Sequence, residues 1–533
     1  MQNQAQWQSQ WYRDGYFRDD TVLDVIKRSA RNHPDAYLCL ESDVRAGRIT
    51  AAALLGESEQ LASALHASGI RAGDVVAIQL PNWVEAIALC EACALLGAVM
   101  LPITAIFGAA ELEYILGNSG AKIVFMPGSW RKRDYRDSVP QLRANTNLQA
   151  IVILDEHAPS GAITWQAFRE RAGAPFPPTT AKADDVVAMI YTSGTTSNPK
   201  GVLHTHNTLL SDSRAAIAFW QESITKTYLS PWPFGHIAAQ LSYIHFWADG
   251  ANLVLTDRWE PLEVARIVER HRVAATTGVP YFLQSLMDAA DANNVDISSL
   301  ESYGTGATNV PPDLIRRCTQ RGIFCYRQYG STEHPTVTSG VPGDPVEKLI
   351  TTDGRCIGGN RIRILDDNGI DLPPGVDGEI ATAGPERCIG YNDDKRNAES
   401  FTSDGWFLTG DIGNLDEGGY LTITDRKKDI IIRGGENISS REVEECLLRH
   451  PAVAEAAAVA MPDAKLGEKV CVFVVLKPAA QLTLEQVAEH FANSGLAKQK
   501  TPERIVEISA LPRTATGKVQ KEVLRKQLRS LNG

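Results

Sequence analysis

Tyr191-Thr-Ser-Gly-Thr-Thr-Ser-Asn-Pro-Lys-Gly-Val202 is the stretch around which the chain is organised. The apolar run just before it, 186–191, reads as a buried strand. Six consecutive small hydroxyl or glycine positions, Thr192 to Ser197, and then Asn198 follow, and Pro199-Lys200-Gly201 closes the turn. Small side chains let backbone N–H groups converge on an anion, hydroxyls add donors, and a lysine adds charge. That chemistry suits a triphosphate. The spacing differs from the Walker pattern, because no Gly-Lys-Ser/Thr closes it and Lys200 precedes the last glycine.

The surrounding chain bounds what this loop can serve. At 533 residues it is long enough for two or more domains, and 44% hydrophobic with 22% charged residues is an ordinary globular composition. A net charge of −11 argues against a general nucleic-acid binder. The Gln- and Trp-rich N-terminus, 1–20, lacks the apolar core of a signal peptide, and no run is long enough for a membrane span. Nine cysteines, an odd number scattered along the chain, fit a reducing compartment and a cytoplasmic protein. Cys90 and Cys93 form a CxxC pair inside an alanine-rich helical pattern, where burial explains them better than metal or redox chemistry.

Outward from the loop, helical and strand patterns alternate. Strands are expected at 36–40, 74–80, 99–103 and 122–126, with helices between them, and a Pro/Thr-rich loop at 174–180 ends this first sheet unit. A second unit carries the opening loop, a helix capped by Asn207, strands near 253–255, 274–278 and 303–306, and helices at 261–271 and 281–292. From about Val337 short strands and Gly/Pro/Asp turns predict a small antiparallel barrel. After Asp425 a small α+β unit begins. Ser439 and Glu442 form a capping box, Ile438 and Val443 a hydrophobic staple, and the last helix is expected over 518–528. The predicted fold is therefore α/β: a large N-terminal domain, 1–425, of two parallel-type sheet units and the barrel, and a small mobile C-terminal domain, 426–533.

Four further stretches bear on chemistry. Tyr329-Gly-Ser-Thr-Glu333 puts a hydroxyl beside a carboxylate after a strand, and Trp406-Phe-Leu-Thr-Gly-Asp411 ends an apolar run on a turn with one acid. The segment 425–439 joins a charge cluster, a strand and Gly434-Gly435, and Pro512-Arg-Thr-Ala-Thr-Gly-Lys518 places one lysine on a polar loop. Singly, most of these have a bland reading as turn acids or surface lysines. Together and in this order they closely resemble the adenylate-forming superfamily, which includes acyl-CoA synthetases, adenylation domains and luciferases. The resemblance covers nearly the whole chain.

The resemblance implies roles for individual residues. Thr192, Ser193, Gly194, Thr195, Thr196 and Lys200 correspond to the loop that holds the β- and γ-phosphates of ATP. Gly306 and Ala307 correspond to the segment against adenine, and Tyr329 to the residue stacked on it. Thr332 would touch the α-phosphate and Glu333 would ligate Mg²⁺. Asp411 and Arg426 match the ribose contacts, and Lys518 the lysine bridging the carboxylate and α-phosphate. His236 matches the residue guarding the substrate carboxylate, Lys428 the hinge, and Gly434-Gly435 the pantetheine tunnel of coenzyme A. Ser197 departs from the commonest form, which has glycine there.

The implied reaction joins a carboxylic acid and ATP into acyl-AMP, then transfers the acyl group to CoA. Trp232, Phe234, Ile237, Tyr243 and Phe246 near the expected pocket suggest a hydrophobic acid, medium-chain or ringed. Two rival readings share these motifs: an adenylating enzyme whose acceptor is a carrier-protein thiol or an amine, and a luciferase-like monooxygenase. His204 and His206 read as packing residues and not as a metal pair. A homodimer is left open.

Overall fold

The computed structural model describes the chain except Met1, Ala174, residues 193–198, Thr225, Thr308, Asn309, Gly435, Ala464, Gly495, Ala515, Thr516, Asn532 and Gly533. Its described residues divide into two compact units. The first comprises the chain through Arg361 together with Ala383–Trp406, and the second comprises Ile362–Thr382 and Phe407–Gly533.

The first unit holds two large sheets. One has eight strands in the order Gly390–Tyr391, Lys200–Thr205, Val186–Thr192, Val99–Pro102, Val75–Ile78, Ile123–Pro127, Ala150–Leu154, Ile163–Thr164. Its first two strands are antiparallel additions to a parallel body. The other has nine strands and is parallel from Phe324–Tyr329 through Ser302–Gly306, Ala275–Gly278, Thr227–Ser230 and Asn252–Thr256 to Tyr37–Glu41.

This corrects the expected division of strands. Val186–Thr192, the strand leading into the opening loop, shares its sheet with the early strands at 75–78 and 99–102, whereas Tyr37–Glu41 crosses to the other sheet. Uniformly apolar parallel strands carry no sequence mark of which neighbour they pair with.

One hydrophobic cluster joins the two sheets. It contains Val76, Ala77 and Ile78 of one, Leu38, Leu40, Leu253 and Leu255 of the other, and residues of the helices Val84–Leu96 and Ile237–Asp249. Val84–Leu96 is apolar on every side, and its residues 86–96 are all buried, including Cys90 and Cys93. All nine cysteines are free thiols. Glu91 survives in this helix because Ser58 and Trp247 each donate to its carboxyl at 2.8 Å. Burial pushes it up to about 8, so it is carried as the neutral acid.

The N-terminus forms a helix, Gln2–Arg13, that was not expected from its polar sequence. Trp7 and Trp11 lie one turn apart and stack at 5.2 Å, and Trp7 meets Trp406 edge-on. Asn207 does not cap a helix as anticipated. It lies within the helix His206–Ile224, accepts from the backbone of Arg18 and donates to Tyr12 and Asp184, so it ties the N-terminal segment down.

In the second unit the antiparallel region forms a four-stranded sheet in the order Arg361–Leu365, Gly378–Ala383, Phe407–Leu415, Leu421–Arg426. The C-terminal part is built on the antiparallel pair Val453–Asp463 and Gly467–Leu476. Strand alternation gives it two cores. Val470, Val472 and Val474 face Val443, Leu447, Val487 and Phe491, while Cys471 and Phe473 face Leu511, Leu524 and Leu528. Ser439 caps the helix Ser440–Leu448 by accepting from the Glu442 N–H, and Ile438 and Val443 are buried in one core, but the expected capping box is only half made, because the Glu442 carboxylate pairs with Lys500 at 2.6 Å. The last helix spans Lys521–Leu531, three residues later than expected, so Lys518 lies on the turn before it. Among the described residues no helix is long and apolar enough to cross a membrane.

Candidate active site

In the first unit the opening loop grows out of a hairpin. Thr192 faces Lys200 across the antiparallel pair of Val186–Thr192 and Lys200–Thr205, so the loop leaves and returns at one point. Ser193, Gly194, Thr195 and Thr196 lie outside the described residues. The base of the hairpin is clamped from the side. Asn392 donates from its backbone to the Gly201 carbonyl, and its side chain donates to Asn118 and to the Tyr191 hydroxyl. A Cβ on Gly201 would come within 2.7 Å of the Asn392 side-chain oxygen, so a larger residue there would have to displace the clamp.

The adenine segment and the acidic turn are brought together by strand pairing. Ser302–Gly306 and Phe324–Tyr329 are parallel neighbours with Gly306 opposite Gln328, so Gly306-Ala307 and Tyr329 emerge side by side at the carboxyl ends of their strands. This is where α/β sheets place ligands. A Cβ on Gly306 would meet the Gln328 carbonyl at 2.3 Å, and Ala307 sits at φ 66°, a conformation costly for a residue other than glycine. Tyr329 is buried.

Beyond Tyr329 the chain turns sharply through Gly330, where a Cβ would strike the Pro335 carbonyl at 1.7 Å. The turn is held at each residue that matters. His204 donates from Nε2 to the Thr332 carbonyl at 2.8 Å while its Nδ1 accepts from the Thr208 hydroxyl at 3.0 Å. The Cys388 N–H donates to the Glu333 carbonyl at 2.7 Å, and His334 Nε2 donates to Asn360 at 3.0 Å. Burial drives both imidazoles down, His204 to about 4 and His334 to about 3, so each acts as a neutral donor. His204 therefore packs and supports, as its sequence context suggested.

The Glu333 carboxylate is half-buried and accepts the Tyr391 hydroxyl at 2.7 Å on one oxygen. Among the described residues nothing donates to the other oxygen, which suits a hard cation. Tyr391 is 4% exposed, and burial, then Glu333, raises its phenol far above the usual range. The Lys200 ammonium lies 5.3 Å from the centre of the same ring. The motif reading missed Tyr391, and the only local signal was a Gly-Tyr pair after a loop.

His236 caps the helix Ile237–Asp249: its Nδ1 accepts the Ala238 N–H at 3.2 Å, and its ring stacks on Trp232 at 4.9 Å. Trp232 in turn donates to the Thr277 hydroxyl at 2.7 Å. Trp232, Phe234, Ile237, Tyr243 and Phe246 are all at most 5% exposed and belong to the central core.

The second unit carries the remaining residues. Asp411 faces Arg426 across two antiparallel strands and pairs with it at 2.9 Å. Asp411 is 11% exposed at its side chain and Arg426 45%, so the acid is fixed and the arginine reaches outward. Lys428 lies two residues beyond Arg426. Arg525 donates to its carbonyl at 3.2 Å and pairs with Asp429, which pins the segment to the last helix. Asp425 anchors the other side by accepting from Ser440.

Gly434, at φ 60°, turns the hairpin between Ile431–Arg433 and Glu436–Ile438 and donates to the Leu466 carbonyl at 2.7 Å. Gly435 lies outside the described residues. Lys518 is half-buried on a tight turn: its carbonyl accepts from Thr514 at 2.8 Å, its N–H donates to the Thr514 hydroxyl, and Arg513 bridges to Val519.

Residues 26–392 match the family of AMP-binding enzymes, and residues 442–518 match the AMP-binding enzyme C-terminal domain. The medium-chain fatty-acid–CoA ligase of Escherichia coli is 37% identical over 96% of this chain and 91% of its own length. The indoleacetate–CoA ligase of Aromatoleum aromaticum is 33% identical over 89% of this chain and 92% of its own. ATP-bound MatB from Rhodopseudomonas palustris superposes with a TM-score of 0.86 at 27% identity, covering 96% of this chain and 100% of that one. With these matches and the ordered motifs in place, the chain belongs to the AMP-binding enzyme family of adenylate-forming, acyl-CoA synthetase type.

Proposed function

We propose that this protein is an AMP-forming acid–thiol ligase that activates a hydrophobic carboxylic acid, medium-chain, alicyclic or aromatic, with ATP and passes the acyl group to CoA. The relatives named medium-chain fatty-acid–CoA ligase and indoleacetate–CoA ligase support both the reaction and the acid class. The observation that carries the reading is the turn after Tyr329. It fixes the Thr332 and Glu333 carbonyls through His204 and Cys388 and, among the described residues, leaves one carboxylate oxygen of Glu333 without a donor.

In the first half-reaction two anions must meet, and the attacking carboxylate is a weak nucleophile. Lys200 and the backbone of the 192–200 loop hold the β- and γ-phosphates, and Thr332 holds the α-phosphate. Glu333 would hold Mg²⁺, which when bound offsets negative charge on the phosphate oxygens. Asp411 accepts from the ribose hydroxyls with Arg426 beside it, and Gly306, Ala307 and Tyr329 frame the base. Lys518 stabilises charge building on the carboxylate and α-phosphate oxygens as pyrophosphate leaves. His236, its Nδ1 engaged by its own helix, lies at the acid's carboxylate.

In the second half-reaction the CoA thiol attacks the acyl carbonyl and AMP departs, with Gly434 and Gly435 against the pantetheine. We take 1–425 and 426–533 as the functional domains, with Lys428 as the pivot that exchanges Lys518 for the glycine pair. The free thiols agree with a cytoplasmic setting. The deciding experiment is pyrophosphate release over a panel of carboxylic acids, with and without CoA. Acid-dependent release with CoA-dependent thioester formation is expected. Release without any CoA-dependent product would move the acceptor to an amine or a carrier protein.

A further inference from the structure

Tyr391 stands where two otherwise separate parts of the phosphate site meet. Its backbone is paired into the eight-stranded sheet opposite Val202, two residues beyond Lys200. Asn397 locks that backbone from both sides, accepting from the Tyr391 N–H at 2.7 Å and donating to its carbonyl at 2.9 Å. Ile389, two residues before, and Asn392, the next residue, donate to the Leu203 and Gly201 carbonyls, so the strand cannot slide relative to the hairpin. From this anchored position the hydroxyl reaches Glu333 Oε1 at 2.7 Å, and the ring face lies 5.3 Å from the Lys200 ammonium.

These contacts differ in kind. The hydroxyl is a single directional donor to one carboxylate oxygen, so it sets the plane of the Glu333 carboxylate and directs the other oxygen away from the ring. The ring is a diffuse partner for a cation and holds the ammonium near one place without consuming a hydrogen-bond donor. A lysine held by a carboxylate would instead spend a donor and charge that a phosphate needs.

We propose that Tyr391 is a positioning residue that orients the Glu333 carboxylate toward the metal of the metal–nucleotide complex with its hydroxyl and stations Lys200 for the terminal phosphates with its ring. This rests on the reading of Glu333 as the metal ligand. The two roles separate by substitution. Tyr391→Phe removes only the hydroxyl, and Tyr391→Leu removes the hydroxyl and the ring.

The probe is Mn²⁺ in place of Mg²⁺, with binding to the enzyme–ATP complex followed by electron paramagnetic resonance, alongside ATP binding measured calorimetrically in excess chelator. Tyr391→Phe should weaken Mn²⁺ binding by about 10-fold, the scale of losing an outer partner of a metal ligand. Its metal-free ATP affinity, its KM for the acid and its kcat at saturating metal should stay near wild type. Tyr391→Leu should add a loss of metal-free ATP affinity. Asn397→Ala, which loosens the Tyr391 backbone but leaves its side chain, should shift Mn²⁺ binding in the same direction by less, and it serves if Tyr391→Phe does not fold.

In the Glu333→Gln background Tyr391→Phe should have no further effect on Mn²⁺, because the two residues act as one unit. If Glu333→Gln leaves Mn²⁺ affinity unchanged, the metal reading of Glu333 falls and this proposal falls with it. If Glu333→Gln weakens Mn²⁺ while neither Tyr391→Phe nor Asn397→Ala does, Glu333 keeps its role and the positioning role is overturned. A full additional loss from Tyr391→Phe in the Glu333→Gln background overturns it as well.

Discussion

The turn bearing Glu333 and the turn bearing Lys518 carry comparable chemistry but are built in opposite ways. Around Glu333 support comes from side chains and strands distant in sequence: His204, Cys388, Tyr391 and Asn360. Around Lys518 the backbone is closed by local bonds, between Thr514 and Gly517 or Lys518 and between Pro512 and Gln520, and Arg513 ties the base of the turn to Glu455 of the same unit. A group held by many distant partners can move only if the core moves. A group on a locally closed turn can be carried as a package without breaking anything else. The first suits a phosphate and metal site that must be preorganised, and the second suits a lysine needed in one half-reaction and removed for the next.

The largest expected effect tests the movable side. Lys518→Ala should cut acid-dependent pyrophosphate exchange by about 10² to 10³, the loss of one preorganised charge-stabilising donor. Its thermal midpoint should not change, and CoA capture of a supplied acyl-adenylate should survive. Exchange near the wild-type rate would remove Lys518 from the chemistry.

Next is the pivot. Proline fixes φ and deletes a backbone donor, so Lys428→Pro should trap one orientation and reduce acyl-CoA formation by about 10², the scale of a misplaced reacting group. Pyrophosphate exchange should largely persist, and Lys428→Ala should be mild in both assays. Equal losses in both assays, with the alanine variant also inactive, would make Lys428 a charge contact and end the hinge reading.

Asp411→Ala should weaken ATP binding by about 1.5–3 kcal/mol through loss of a charge-assisted bond to the ribose. Acid affinity should be unaffected. Calorimetric ATP titration would expose the opposite pattern, unchanged ATP affinity with altered acid preference, which would displace Asp411 from the nucleotide.

The fixed turn should also be the acid-sensitive one. His204 and His334 stay neutral when folded, down to about 4 and about 3, whereas free histidine takes up a proton near 6.5. The unfolded chain therefore binds more protons below pH 6.5, and the stability held above that pH should drain away as pH falls toward 4. Hydrogen exchange at pH 7.5 and 5 should show protection lost around residues 330–334 and 204–208, with little change at 513–519. Uniform loss over both turns would cancel the contrast.

The smallest effect sits on the local turn. Gly517 adopts φ 81°, so Gly517→Ala should cost about 1–2 kcal/mol by urea unfolding. That loss should track adenylation only through the fraction folded.

The candidate site was largely legible from residues, but the way it is held was not. Thr192–Lys200, Glu333, Asp411 and Lys518 stood out because hydroxyls, glycines, a carboxylate and a lysine advertise their chemistry within a few positions. Tyr391 did not, because its partner Glu333 lies 58 residues away and a buried tyrosine has no local mark. Asn207 misled in the same way, since a helix-start asparagine predicts a cap and the N-terminal segment claimed its side chain instead. The Trp7–Trp11 helix was missed because only a packing partner makes two aromatics one turn apart meaningful.

The amino-acid sequence by itself determined the α/β rhythm and the order of the chemical motifs, because period and composition act over a few residues. Only the tertiary structure decided that Val186–Thr192 joins the sheet of Val75–Ile78, that Gly306-Ala307 emerges beside Tyr329, and that Tyr391 meets Glu333. Strands buried on both faces offer many equally apolar neighbours. The choice among them is made by how the helices and turns pack around the whole core.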